Sequence, residues 1–181
     1  MKENEKRTEI LIERARVEQR VAELAVEIVE GYEGKDFVAV AVLKGAYIFM
    51  ADLHRALWDA GVDCEVDFVE LSSYEGGTES SKNPRITRDL DRDVAGKEVL
   101  VVEDIVDTGW SLDFLERYLI QKGVTRVKKV ALLSKPSRRE IEVKVDYVGF
   151  EVEGWVEGCG LDTDQKGRGN PNVVVVKVID E

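Results

Sequence analysis

Uninterrupted apolar runs at Phe37 to Leu43 and Val99 to Val102 predict strands buried on both faces, as in a parallel sheet. Further strands are predicted at Val62 to Leu71, Val127 to Leu133, Val145 to Phe150 and Val173 to Val178, with a short one at Glu9 to Ile12. Between them apolar residues return every third or fourth position: Val17, Val21, Leu24, Ala25 and Ile28, then Phe49, Leu53 and Leu57, then Leu112, Leu115 and Leu119. These stripes predict amphipathic helices, the first interrupted at Gly31 to Lys35 and the second stopping near Gly61. Strands alternating with helices predict an α/β domain with a mainly parallel sheet. From Ser72 to about Asp93 the pattern dissolves into Ser, Gly, Thr, Lys and Asp. So long a stretch without a period suggests a functional flap. There is no internal repeat and no linker, so residues 1–181 are expected to form one domain.

Charge sharpens this picture. A net charge of −11 argues against a nucleic-acid surface, which needs a basic stripe. Any anionic ligand must be held by local backbone N–H groups, a few Lys and Arg, or a divalent cation acting against the global field. Cys64 and Cys159 make neither a disulfide framework nor a zinc pattern, which suggests a reduced, cytoplasmic setting. No run approaches the ~20 apolar residues of a membrane span, so no membrane partner is expected. His54, the only histidine, sits on a helix that packing explains, which leaves Ser-His and Cys-His catalysis without a base.

The most informative stretch is residues 99–112. Glu103 and Asp104 stand where the apolar strand runs out, and Asp107, Thr108, Gly109, Trp110 and Ser111 turn into the next helix. Ligands of open α/β sheets sit beyond the carboxyl ends of strands, where a helix N-terminus offers N–H groups to an anion. Acids beside such a turn can hold sugar hydroxyls or a hydrated metal. The combination suits a phosphorylated sugar, although an acid and a capped helix also occur in α/β proteins for purely structural reasons.

Other segments carry weaker signals. Lys44-Gly45 follows a strand and can aim N–H groups and a cation at pyrophosphate, or simply enter a helix. The run from Ser72 to Ser81, with Ser73 and Tyr74, supplies glycine hinges and hydroxyls suited to a lid. Lys135 ends a strand, either as a solvated charge or as a donor to a carbonyl. Trp155 either packs in a core or stacks on a flat ring, and Gly158 and Gly160 allow close backbone approach. No strand is followed by Gly-x-Gly-x-x-Gly, which disfavours a nicotinamide site.

The strand, two acids, two apolar residues and Asp-Thr-Gly-x-Ser of residues 99–111 resemble the phosphoribosyl-pyrophosphate (PRPP) loop of type I phosphoribosyltransferases. Val42 to Leu53, Ser73-Tyr74, Leu132 to Arg139 and Val148 to Asp162 are similar, in order, to segments of the members acting on 6-oxopurines. The resemblance spans the chain from about Ile10 onward. It implies a mainly parallel sheet flanked by helices, a lid at about 72–93, and a small hood from about 8–14 and 151–172. It also implies a cis peptide at Leu43–Lys44.

The implied reaction joins a 6-oxopurine (hypoxanthine, and guanine too) to PRPP, giving a nucleoside monophosphate and pyrophosphate with Mg²⁺, in a homodimer or homotetramer. Asp107 would be the general base at N7. Thr108, Gly109, Trp110 and Ser111 would bind the 5′-phosphate, with Glu103 and Asp104 on the ribose and the metal. Lys135 would bind O6, Trp155 would stack on the purine, and the backbone of Val156 and Asp162 would meet its pyrimidine edge. Asp162 would also hold Mg²⁺, and Lys44, Gly45 and Arg168 would face pyrophosphate, with Ser73 and Tyr74 closing over it. Trp155 replaces the usual Phe or Tyr, while Glu157 and Cys159 replace Val and a bulky residue, which leaves base preference open and keeps xanthine in play. A PRPP-sensing transcription regulator on the same fold is the alternative. Such a protein needs a nucleic-acid surface that this charge disfavours.

Overall fold

The computed structural model describes residues 6–73 and 84–178. Along the chain run β1 (Lys6–Ile12), α1 (Arg14–Tyr32), β2 (Val38–Leu43), α2 (Tyr47–Asp59), β3 (Glu65–Ser73), β4 (Pro84–Arg88), β5 (Glu98–Val106), α3 (Trp110–Gln121), β6 (Arg126–Ser134), β7 (Tyr147–Glu151), β8 (Val156–Glu157) and β9 (Val173–Val178). A single 3-10 turn occupies Pro136–Arg138.

The main sheet has the order β4-β3-β2-β5-β6-β7, parallel throughout except for the antiparallel edge strand β4. Alternation along its strands explains both layers. Ala39, Ala41, Leu100, Val102, Val130 and Leu132 pack with α1 and α2 on one face. Val38, Val40, Val42, Val99, Val101 and Ala131 pack with Leu112, Leu115 and Leu119 of α3 on the other. Strands buried on both sides read as continuous apolar runs because neither face meets water. β2 is followed in space by β3 on one side and β5 on the other, so the strand order reverses between β2 and β5. A crevice at the carboxyl ends of those two strands is where open α/β sheets bind ligands.

A second, three-stranded antiparallel sheet, β1-β9-β8, brings residues near both ends of the chain together. Among the described residues, no helix is long and apolar enough to cross a membrane. Cys64 and Cys159 are free and buried.

The structure corrects several expectations. The supposed flap at 72–93 is in part regular, because residues 84–88 form β4 against the end of β3. Asp67, buried in β3, accepts the N–H groups of Asp91 (3.0 Å) and Arg92 (3.3 Å) and so fixes the stretch after β4. Residues 74–83, including Tyr74, lie outside the described residues, as does the side chain of Ser73. β5 runs from Glu98 to Val106, beyond the apolar run, with Glu103 and Asp104 near its end as expected.

Candidate active site

Two turns flank the switch point, one after β2 and one after β5. The Leu43–Lys44 peptide after β2 is cis, Lys44 is exposed, and Gly45 lies directly against the carboxylate of Asp104. A Cβ at Gly45 would overlap that carboxylate, and one at Gly160 (φ +107) would overlap the Gly45 carbonyl oxygen. Segments distant in sequence thus meet at backbone distance, which glycine alone permits.

Neighbouring residues of a strand face opposite ways. Asp104 turns to Gly45, while Glu103 lines an open cavity of about 90 Å³ with Asp107, Thr108, Gly109, Ser111 and Leu112. The Ile105 N–H donates to Oδ1 of Asp104 at 2.8 Å. Oε2 of Glu103 is buried with no hydrogen-bond partner among the described residues. Burial, and then the nearby Asp104, raises the Glu103 carboxyl well above the ordinary range. Burial also raises Asp104, to about 6; backbone hydrogen bonds and Arg168 oppose the rise, and Asp162 adds to it.

Beyond the acids the chain turns at Gly109 (φ +98), and no side chain caps α3. Its first N–H groups therefore lack the usual Ser, Thr or Asp acceptor, an arrangement that suits an anion. Thr108 is buried in the turn and Ser111 is exposed. Arg138 Nε donates to Oδ1 of Asp107 at 3.1 Å, and Arg139 Nη1 donates to the Asp107 carbonyl at 2.6 Å. Sequence reasoning assigned neither arginine a role. Their signal was a basic pair three residues after the strand-end Lys135. Lys135 itself follows β6, its N–H bonded to the Val106 carbonyl at 2.9 Å. Burial lowers its ammonium pKa, and the Asp107 charge works in the other direction.

The small sheet covers this end of the molecule. Trp155 is 58% exposed, and its indole N–H donates to Thr163 Oγ1 at 2.6 Å, which fixes the ring's orientation. Val156 is buried in β8 opposite Val175, and Glu157 beside it is buried opposite Val174. Oδ1 of Asp162 pairs with Arg168 at 2.7 Å, and its Oδ2 accepts the Gln165 N–H at 2.7 Å. Arg168 Nη1 also donates to the Gly160 carbonyl at 2.8 Å, which brings this pair to the Gly45–Asp104 contact. The sequence named both residues but not their pairing. Cys159 is buried, its thiol pushed up to about 11 by burial, which makes it inert as a nucleophile.

The profile of the phosphoribosyl transferase domain matches residues 8–164. The hypoxanthine phosphoribosyltransferase of Escherichia coli K12 is 40% identical over 176 residues, covering 96% of this chain and 97% of that protein. The hypoxanthine-guanine phosphoribosyltransferase of Aquifex aeolicus is 42% identical over 174 residues, covering 95% and 96%. A solved hypoxanthine-guanine phosphoribosyltransferase of Bacillus anthracis, with a HEPES molecule in its active site, superposes with a TM-score of 0.87 at 36% identity, covering 93% of this chain and 98% of that one. This chain belongs to the phosphoribosyltransferase family, on its hypoxanthine and hypoxanthine-guanine branch.

Proposed function

We propose that this enzyme moves the 5-phosphoribosyl group of PRPP to N9 of hypoxanthine or guanine, releasing pyrophosphate, as a step of purine salvage. The observation that carries the reading is the uncapped, glycine-turned start of α3 beside buried carboxyls at the β2/β5 switch point. The peptide N–H groups from Thr108 to Ser111 take the 5′-phosphate. Glu103, whose carboxyl burial raises well above the ordinary range, meets a ribose hydroxyl, and Asp104 takes its neighbour. As the C1–pyrophosphate bond breaks, positive charge grows on the ribose ring, and fixed carboxyl dipoles stabilise it. N9 of the purine closes on C1, and Asp107 accepts the N7 proton as general base. Lys135 donates to O6, Trp155 stacks on the ring, and the Val156 and Asp162 backbone meets the pyrimidine edge. Lys44 and Arg168 neutralise the departing pyrophosphate, and the Gly45 N–H donates to it.

The oxygen-only donors Glu103, Asp104 and Asp162 fit Mg²⁺, and the orphaned Oε2 of Glu103 is the clearest sign of a missing partner. Among the described residues no three acids, His or Cys converge as a closed cage, so water and pyrophosphate would complete the shell. Bound there, the ion supplies charge neutralisation for the leaving group. Exposed Tyr47 and Trp58 on α2 suit contact between copies in a homodimer or homotetramer, and buried free thiols suit a cytoplasmic setting.

The test is nucleotide formation from PRPP and Mg²⁺ with adenine, hypoxanthine, guanine and xanthine in turn. Turnover with hypoxanthine or guanine is expected. No product from any base, or adenine alone as substrate, would overturn the reading. PRPP-dependent binding to DNA or RNA without base conversion would put the regulator in its place.

A further inference from the structure

The segment after β6, from Pro136 to Val143, lies across the back of the α3 turn as a strap. It grips that turn through its carbonyl groups. Arg139 Nη1 donates to the Asp107 carbonyl at 2.6 Å, while the N–H groups of Glu140 and Ile141 donate to the Thr108 carbonyl at 3.0 and 3.4 Å. Arg139 is itself anchored, its Nη2 donating to Ser134 Oγ at 2.9 Å. Side chains of Arg139, Ile141 and Val143 press against Gly109, where a Cβ would stand 3.0 to 3.3 Å from them.

In a trans peptide the C=O of one residue and the N–H of the next point in opposite directions. Holding the Asp107 and Thr108 carbonyls on the strap therefore turns the N–H groups of Thr108 and Gly109 the other way. The cavity lined by Thr108, Gly109 and Ser111 has no strap residue in its wall, as expected for a pocket on the side away from the strap. The strap therefore orients the groups to which an anion would bind.

Glu140 closes the arrangement. Its N–H holds Thr108, and its Oε2 accepts the indole N–H of Trp110 at 3.0 Å, so one residue staples both sides of Gly109. Trp110 occupies the variable position of the phosphate turn and opens α3. We propose that Trp110 and Glu140 are positioning residues that latch the turn in its anion-binding form and thereby set affinity for the sugar 5′-phosphate. The inference rests on the functional reading above, since it presumes that the turn takes that phosphate.

The experiment compares inosine 5′-monophosphate with inosine, ligands that differ only in the phosphate, by calorimetry on the wild type and on Trp110→Phe, Glu140→Ala, Glu140→Gln and the Trp110→Phe/Glu140→Ala double variant. Trp110→Phe and Glu140→Ala are each expected to lower affinity for the nucleotide about tenfold, the worth of a hydrogen bond to a charged group, and to leave inosine unchanged. Glu140→Gln, which keeps an acceptor, should stay near the wild type, and the double variant should be no weaker than Glu140→Ala alone. The KM for PRPP should rise with the KM for hypoxanthine unmoved. An unchanged ratio of nucleotide to nucleoside affinity, or equal loss for both ligands, overturns the latch. Wild-type protein that binds inosine as tightly as the nucleotide instead overturns the phosphate-site reading beneath it.

Discussion

Gly160→Ala tests whether the small sheet and the main sheet build one site through backbone contact. Ala at φ +107 costs about 1–2 kcal/mol from backbone strain. Its Cβ would also lie well inside the 3.0 Å that real Cβ contacts respect, against a carbonyl oxygen that cannot swing aside as a side chain would. The Gly160 and Gly45 backbones must part by roughly 1 Å, and such overpacking costs about 1–3 kcal/mol more. Gly34→Ala is the control. It has φ +76 with nothing within 4 Å of its Cβ and lies in the turn after α1, so it carries the strain without the collision. Urea unfolding should show a loss of about 1 kcal/mol for Gly34→Ala and about 3–4 for Gly160→Ala. Steady-state kinetics should show a raised KM for PRPP only for Gly160→Ala, because Lys44 and the Asp162–Arg168 pair move with the displaced loops. Equal stability losses together with an unchanged KM would refute the claim that this contact builds the site.

Other perturbations separate the roles of charge. Asp107→Asn should cut turnover by about 10²–10⁴, the usual worth of a general base, while nucleotide binding measured by calorimetry persists; near-normal turnover would remove Asp107 from that role. Asp104→Asn should stabilise the chelator-treated protein at pH 7.5 by up to about 3 kcal/mol, since the folded carboxyl is raised from 3.8 to about 6. A raised carboxyl pKa destabilises only once the group ionises, so the gain should be full above pH 6 and vanish below pH 3.8; a gain that persists in acid would contradict burial as its cause. Glu116→Gln strips the 2.6 Å partner from Lys129, whose side chain is 3% exposed, and should cost about 2 kcal/mol in urea unfolding. Lys129→Met should cost much less, since it removes the buried charge itself.

What the sequence displayed follows from how far each contact reaches. β2 and β5 are buried on both faces, so their Val and Ala runs identify them without ambiguity, and the α1, α2 and α3 stripes are complete because each helix covers one sheet face. β4 was hidden because an edge strand with exposed Arg85, Thr87 and Arg88 has little apolar pattern to show, and its opening Pro84 resembles a loop. β8 is two residues long, too short to display any period. The turn into α3 was legible as a candidate site because its acids, glycine and hydroxyls are consecutive. The strap was not, because Arg138 and Arg139 meet Asp107 across 31 and 32 residues and look like surface charge until the fold brings them together. Nothing in the sequence marks Lys129 either: its partner Glu116 lies on another element, so their ion pair appears only in the fold.

The same logic resolves how a chain of net charge −11 can hold polyanions. That count gives Glu103 a full negative charge and Asp104 another, yet burial raises both, Glu103 most of all. Asp107 is paired with Arg138, and Asp162 with Arg168. Burial of Glu103 and the arginine partners of Asp107 and Asp162 thus offset part of the acidity at the site, while Asp104 is still ionised at pH 7.5. The groups proposed to face an anion are peptide dipoles at the start of α3, Lys44, the Gly45 backbone and Arg168. Other acids lie on outer surfaces such as the solvent-exposed face of α1, where Glu18, Glu23 and Glu27 are each bridged to a neighbouring arginine. An exposed charge is screened within about 10 Å at moderate salt, whereas partly buried dipoles are screened much less. Affinity for PRPP should therefore depend on the local arrangement of the α3 turn far more than on the net charge, and neutralising Glu18 and Glu27 together should leave the KM for PRPP unchanged where Gly160→Ala moves it.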